Sequence, residues 1–138
     1  MKKINGILWL ILTAAFLSGC GMARVEVNGV PQVGVEGGFF PPNNTIIVTN
    51  NTGAPVSVTI YEPRHKTQKV SLKSGEQAKF PFRSFFRSEA VVIVSLHDPE
   101  TGAVLDSKDR SFYLTDNGGN PQVHTWTVRS RSSQNLIW

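Results

Sequence analysis

From residue 45 onward, apolar and polar side chains alternate with the period of two that a half-buried strand imposes, because successive residues point to opposite faces. Residues 45–50 (TIIVTN) open the pattern. Val56, Val58 and Ile60 then alternate with Ser57, Thr59 and Tyr61, and Val70 and Leu72 stand between Lys69, Ser71 and Lys73. Ala78, Phe80 and Phe82 repeat the alternation against Gln77 and Lys79. Residues 90–96 (AVVIVSL) carry aliphatic side chains on both faces, which predicts a central strand covered on both sides, with Ile93 in the middle of the core. Residues 103–107 and 111–115 read as two further short strands, and 122–129 places His124, Trp126 and Val128 on one face.

Turn chemistry separates these runs: Asn50-Asn51-Thr52-Gly53, Lys73-Ser74-Gly75-Glu76, Asp98-Pro99-Glu100-Thr101-Gly102 and Asp116-Asn117-Gly118-Gly119-Asn120-Pro121. About eight short strands at 8 to 12 residue spacing, with no helical period, predict an all-β antiparallel β-sandwich, immunoglobulin-like in the broad sense, over residues 45–138. An up-and-down barrel is the competing architecture. Residues 20–44 are rich in Gly, Pro and Asn and read as a tether, with pairing of Val25, Val27, Val30, Val33 and Val35 as an early strand the alternative.

The amino terminus changes the picture. Met1-Lys2-Lys3 precedes an apolar run from Ile7 to Phe16 and then Leu17-Ser18-Gly19-Cys20, the order of a secretory signal occupying residues 1–19. The run is well short of the roughly 20 residues that a bilayer-spanning helix needs, so cleavage is expected. The sequence at 17–20 resembles the lipobox of bacterial lipoproteins. That resemblance implies diacylglyceryl attachment to Cys20, cleavage before it and acylation of the new terminus. It also uses up the one cysteine of a chain bound for an oxidising compartment. Gly21 stands where an aspartate would imply inner-membrane retention, so for a host with two membranes the resemblance implies the outer one, with the folded part facing the periplasm.

Removing residues 1–19 takes away Lys2 and Lys3 and no acid, leaving twelve basic and ten acidic residues. So small an excess argues against nucleic-acid binding, which calls for a dense basic stripe. His65, His97 and His124 have no neighbours at metal-ligand spacing, so neither a metal nor another cofactor is expected. No Gly-x-Ser-x-Gly elbow is present, and Glu62, Asp98, Glu100, Asp106 and Asp109 collect near turns without a pairing that selects any two. No catalytic residue is nominated, and a non-enzymatic binding or structural module is expected. Asn43-Asn44-Thr45 and Asn50-Asn51-Thr52 match the glycosylation triplet but read as turn chemistry.

The unusual stretch is residues 80–88, FPFRSFFRS, with four of the eight phenylalanines and a repeated Phe-Arg-Ser. Phe80 and Phe82 fit a core strand. Arg83, Phe85, Phe86 and Arg87 are the residues that could bind a partner, an envelope protein or a cell-wall polymer, because aromatic and guanidinium groups dominate interface hot spots. Core packing for Phe85 or Phe86, with solvated arginines, is the alternative. Asn135-Leu136-Ile137-Trp138 reads as a tail packing on the domain or docking a partner. Residues 55–62 (PVSVTIYE) resemble one strand of the outer-membrane sandwich lipoproteins of type VI secretion systems, which implies, as a second possibility, an accessory lipoprotein of a secretion or conjugation apparatus. Pro63-Arg64-His65-Lys66 stands where that family has a phenylalanine-and-acid segment.

Overall fold

A computed structural model describes residues 24–34 and 41–137. The signal segment, Cys20 and Trp138 lie outside the described residues. Ten strands follow in chain order: β1 (Glu26–Val27), β2 (Val30–Pro31), β3 (Asn44–Asn51), β4 (Val56–Tyr61), β5 (Gln68–Leu72), β6 (Gln77–Phe82), β7 (Ser88–His97), β8 (Val104–Leu114), β9 (Gln122–Ser132) and β10 (Asn135–Ile137). They form a six-stranded sheet, β10-β9-β3-β6-β1-β2, and a four-stranded sheet, β5-β4-β7-β8. The chain is thus all-β and sandwich-like, in two separate sheets.

The alternation seen in the sequence builds the core directly. Ile46 and Val48 of β3, Phe80 and Phe82 of β6, and Trp126 and Val128 of β9 meet Val58 and Ile60 of β4, Leu72 of β5, and Val92, Val94 and Leu96 of β7 in one buried cluster. Apolar burial contributes roughly 1.5–3 kcal/mol per fully buried large side chain, so this cluster carries the fold without a disulfide. The Arg110 guanidinium lies 4.8 Å over the Trp126 ring, a cation–π contact.

Four sequence expectations are corrected. The antiparallel arrangement holds for every pair except β3 and β9, which run parallel in register from Asn44↔Gln122 to Asn51↔Arg129. Parallel neighbours need a long crossover, and here the chain crosses to the other sheet and back twice between them, returning as β6 and again as β9. Residues 103–107 and 111–115 are not two strands but belong to the single β8, whose ladder to β7 runs from Ser88↔Leu114 to His97↔Val104. The tether reading of 20–44 gives way over residues 24–34 to a hairpin: Glu26 and Val27 pair with Lys79 and Ala78 of β6, and Val25 is buried. Asn28 (φ 50°) and Gly29 (φ 79°) make its turn, the two positive φ angles that match a tight hairpin to strand twist.

The central strand β7 is covered on one face, not two. Ala90, Val92, Val94 and Leu96 are buried, whereas Ile93 is 38 % exposed on the outer face. Leu96→Ala should therefore cost about 2–5 kcal/mol through lost burial and a cavity, and Ile93→Ala only roughly 1 kcal/mol. Chemical denaturation of the two variants checks this, and equal losses would contradict the one-sided packing.

The C-terminal segment packs as β10 against β9, with Leu136 buried. Its backbone N–H donates to Asp106 Oδ2 at 2.8 Å. That bond, with a second from Ser107 N–H, holds the Asp106 carboxyl below the usual aspartate range.

Candidate functional site

The chain leaves β4 at Tyr61 and β6 at Phe82, and the loops that follow, 62–67 and 83–87, meet at one end of the sandwich. Between them lies a cavity of about 320 Å³ lined by Glu62, Arg64, His65, Arg83, Phe85 and Phe86, among others. Arg83, Phe85 and Phe86 are three of the four residues nominated from the sequence. The fourth, Arg87, stands apart, its guanidinium 5.4 Å over the ring of Tyr113.

Phe80 and Phe82 are fully buried, while Phe85 is 38 % and Phe86 67 % exposed. Consecutive phenylalanines break the period of two as the chain leaves the sheet, so both cannot follow Phe80 and Phe82 inward. Each exposed ring carries a cation: Arg83 lies 5.0 Å over Phe85 and Arg64 5.0 Å over Phe86. Arg83 also approaches Asp116 Oδ1 at 3.7 Å through Nη2, but its Nε is buried and has no hydrogen-bond partner among the described residues.

Glu62 and Arg64 were not singled out from the sequence as binding residues. Glu62 is only 2 % exposed. Its Oε2 accepts the Arg64 backbone N–H at 2.9 Å and pairs with His65 Nδ1, so residues 62–65 form a compact turn closed by His65 N–H to Glu62 O at 3.0 Å. The His65 ring stands edge-on to Phe82, centroids 5.3 Å apart. The other carboxylate oxygen, Oε1, is buried and has no hydrogen-bond partner among the described residues. A short acidic-basic run after a strand reads as solvated, and the burial here comes from Phe82 and the 83–87 loop, which are distant in sequence.

A buried asparagine bracket fixes that loop. Asn43 Oδ1 accepts the Ser84 N–H at 2.8 Å, and Asn43 Nδ2 donates to Ser84 O at 2.8 Å and to Asp116 Oδ1 at 3.2 Å. Asn44 Nδ2 extends the network to Asn43 Oδ1 and Thr115 O. Asn50 Nδ2 likewise donates to Ala54 O and Leu72 O. Both glycosylation-like triplets thus begin with buried amides that tie down backbone.

The remaining histidines are held by their own neighbours. His97 Nδ1 donates to Gly102 O at 3.0 Å, and its Nε2 accepts from Ser57 Oγ at 2.8 Å. The Ser57–His97 spacing is that of a nucleophile and base, but Ser57 is buried in the ladder and the imidazole is held by a turn carbonyl. Burial pushes the His124 pKa down, and its Nε2 donates to Asn44 Oδ1 at 3.1 Å. Among the described residues no three of His, Cys, Asp and Glu converge as a metal site. Comparison with protein-family models, curated proteins and solved structures finds no match.

Proposed function

We propose that the chain is a lipid-anchored lipoprotein of the cell envelope, a non-enzymatic binding or structural module held at the outer membrane and facing the periplasm. The observation that carries this reading is Leu17-Ser18-Gly19-Cys20 after a basic start and a short apolar run. Two or more acyl chains give stable attachment where one gives only marginal binding. No helix among the described residues is long and apolar enough to cross a membrane. Glu26, the first strand residue, follows Cys20 so closely that even a fully extended link spans at most roughly 20 Å. The folded part would stand near the lipid surface.

The two-sheet arrangement fits an immunoglobulin-like sandwich in the broad sense, in which loops at the ends of the sheets carry binding. The 62–67 and 83–87 loops form such an end, with exposed aromatic rings and guanidinium groups together, and the partner is an envelope component. The anchor is tested by intact-mass analysis of the membrane fraction. A mature chain beginning at an acylated Cys20 is expected, with unacylated, uncleaved precursor from Cys20→Ser. A mature protein with an unmodified cysteine would overturn the anchor and the localisation with it.

A further inference from the structure

We propose that the end of the sandwich formed by the 62–67 and 83–87 loops is seated on the lipid surface that holds the anchor, with Phe86 among the headgroups and the surrounding cations on anionic phospholipid. This rests on the lipid anchor proposed above and names the envelope component that this end meets.

The path of the chain makes the first case. β1 runs antiparallel to β6, Glu26 opposite Lys79 and Val27 opposite Ala78, so the chain before Glu26 heads for the end at which β6 passes into residues 83–87. Arg24 lines a cavity there with Pro42 and Pro81. Cys20 is four residues earlier, a link of at most roughly 14 Å. The eight-residue β3 runs from Asn44, opposite Phe82 at this end, to Asn51 at the other, a rise of roughly 25 Å. So short a link keeps the 62–67 and 83–87 end beside the acyl chains, whichever way the domain leans.

Charge and apolar surface decide the lean. Around this end Arg24, Arg64, Lys66 and Arg87 are exposed and Arg83 is half-buried. Of the described acids near them, Glu62 is buried and engaged with His65, Asp116 lies 3.7 Å from Arg83, and Glu89 alone is exposed. The opposite end, where the Gly53 N–H meets Ser74 Oγ and the His97 N–H meets Pro55 O, carries Glu76, Asp98 and Glu100 against Lys73. A negatively charged lipid surface attracts the first end and repels the second. Phe86, 67 % exposed beneath the Arg64 guanidinium, supplies what an interfacial site uses: an apolar ring for the boundary between headgroups and acyl chains, beside a cation for the phosphate. An acidic protein would offer the same charges, but the anchor already holds the lipid within reach and makes that encounter intramolecular.

The test reconstitutes the mature chain, isolated from membranes, into vesicles of phosphatidylcholine with or without phosphatidylglycerol, all carrying bromine on the acyl chains near the headgroups. Phe86→Trp and, at the far end, Glu100→Trp are compared with the unsubstituted chain for quenching of tryptophan fluorescence by bromine, both substitutions being at exposed positions. Added quenching is expected at residue 86 only, and only with phosphatidylglycerol present. Arg87→Ala within the Phe86→Trp chain should lower the ratio of seated to lifted domain, read from that quenching, by roughly fivefold. High salt should act in the same direction. No added quenching at 86, equal quenching at 86 and 100, or quenching at 86 indifferent to phosphatidylglycerol and to Arg87, in chains that float with the vesicles, would overturn the seating while leaving the anchor standing. A mature chain that floats with neither kind of vesicle would overturn both.

Discussion

Replacing Phe82 with alanine should destabilise the fold by about 3–5 kcal/mol, the usual result of emptying a buried aromatic site. Phe82 is fully buried at the end of β6, opposite Asn44 of β3, and its ring supports the edge of His65. Truncation therefore removes core volume and the floor of the 62–65 turn together. For a domain of this size the loss corresponds to a fall of roughly 10–30 °C in Tm. Phe86→Ala, four residues further along the chain but largely in solvent, should move Tm little. Thermal unfolding of both variants decides the matter, and a Phe82 loss as small as that of Phe86 would contradict the division between core and surface phenylalanines.

Asn43→Ala should be the most damaging polar substitution among the brackets described. The side chain accepts the Ser84 N–H, donates to the Ser84 carbonyl and reaches Asp116, all from a buried position. Alanine would strand both backbone groups of Ser84 away from water at about 1–3 kcal/mol each. Asn43→Asp keeps an acceptor for the Ser84 N–H but turns a carboxylate toward the Ser84 carbonyl and Asp116, so it should fare no better. Urea denaturation gives the magnitude. Hydrogen exchange gives the location, because amides of residues 83–88 should lose protection ahead of those in β4 and β7. Unchanged protection in that loop would show that Asn43 does not position it.

The strands β3, β4, β5 and β6 were legible because each buries one face, and a period of two records which face that is. It does not record the neighbour. Nothing in TIIVTN or in the residues around Trp126 distinguishes a parallel from an antiparallel partner, and the β3–β9 pairing is set by the path of the chain between them. Val91 and Ile93 read as buried because β-branched side chains favour strands whether or not a layer covers them. Lys108-Asp109-Arg110 read as a break, although charged residues on a half-exposed strand leave its backbone ladder intact. In the hairpin, Asn28-Gly29 is the signal that decides between tether and strand. At the candidate site, Phe85 and Phe86 stood out by composition, whereas Glu62 acquires its character from burial that only the tertiary structure supplies.

If the chain is anchored as proposed, the strand order bears on how neighbouring copies share a lipid surface. Chains held in two dimensions meet side by side at high local concentration, where unpaired backbone at a sheet margin invites strand-to-strand addition. The six-stranded sheet ends in β2 and β10, two and three residues long, the former containing Pro31, which lacks an N–H to donate. The four-stranded sheet ends on one side in the long β8, but that strand carries Asp106, Lys108, Asp109 and Arg110, whose charges a second copy would have to desolvate. At these three margins a neighbouring copy would find little to zip onto, which leaves β5 as the edge open to strand addition and would favour separate domains on the proposed lipid surface.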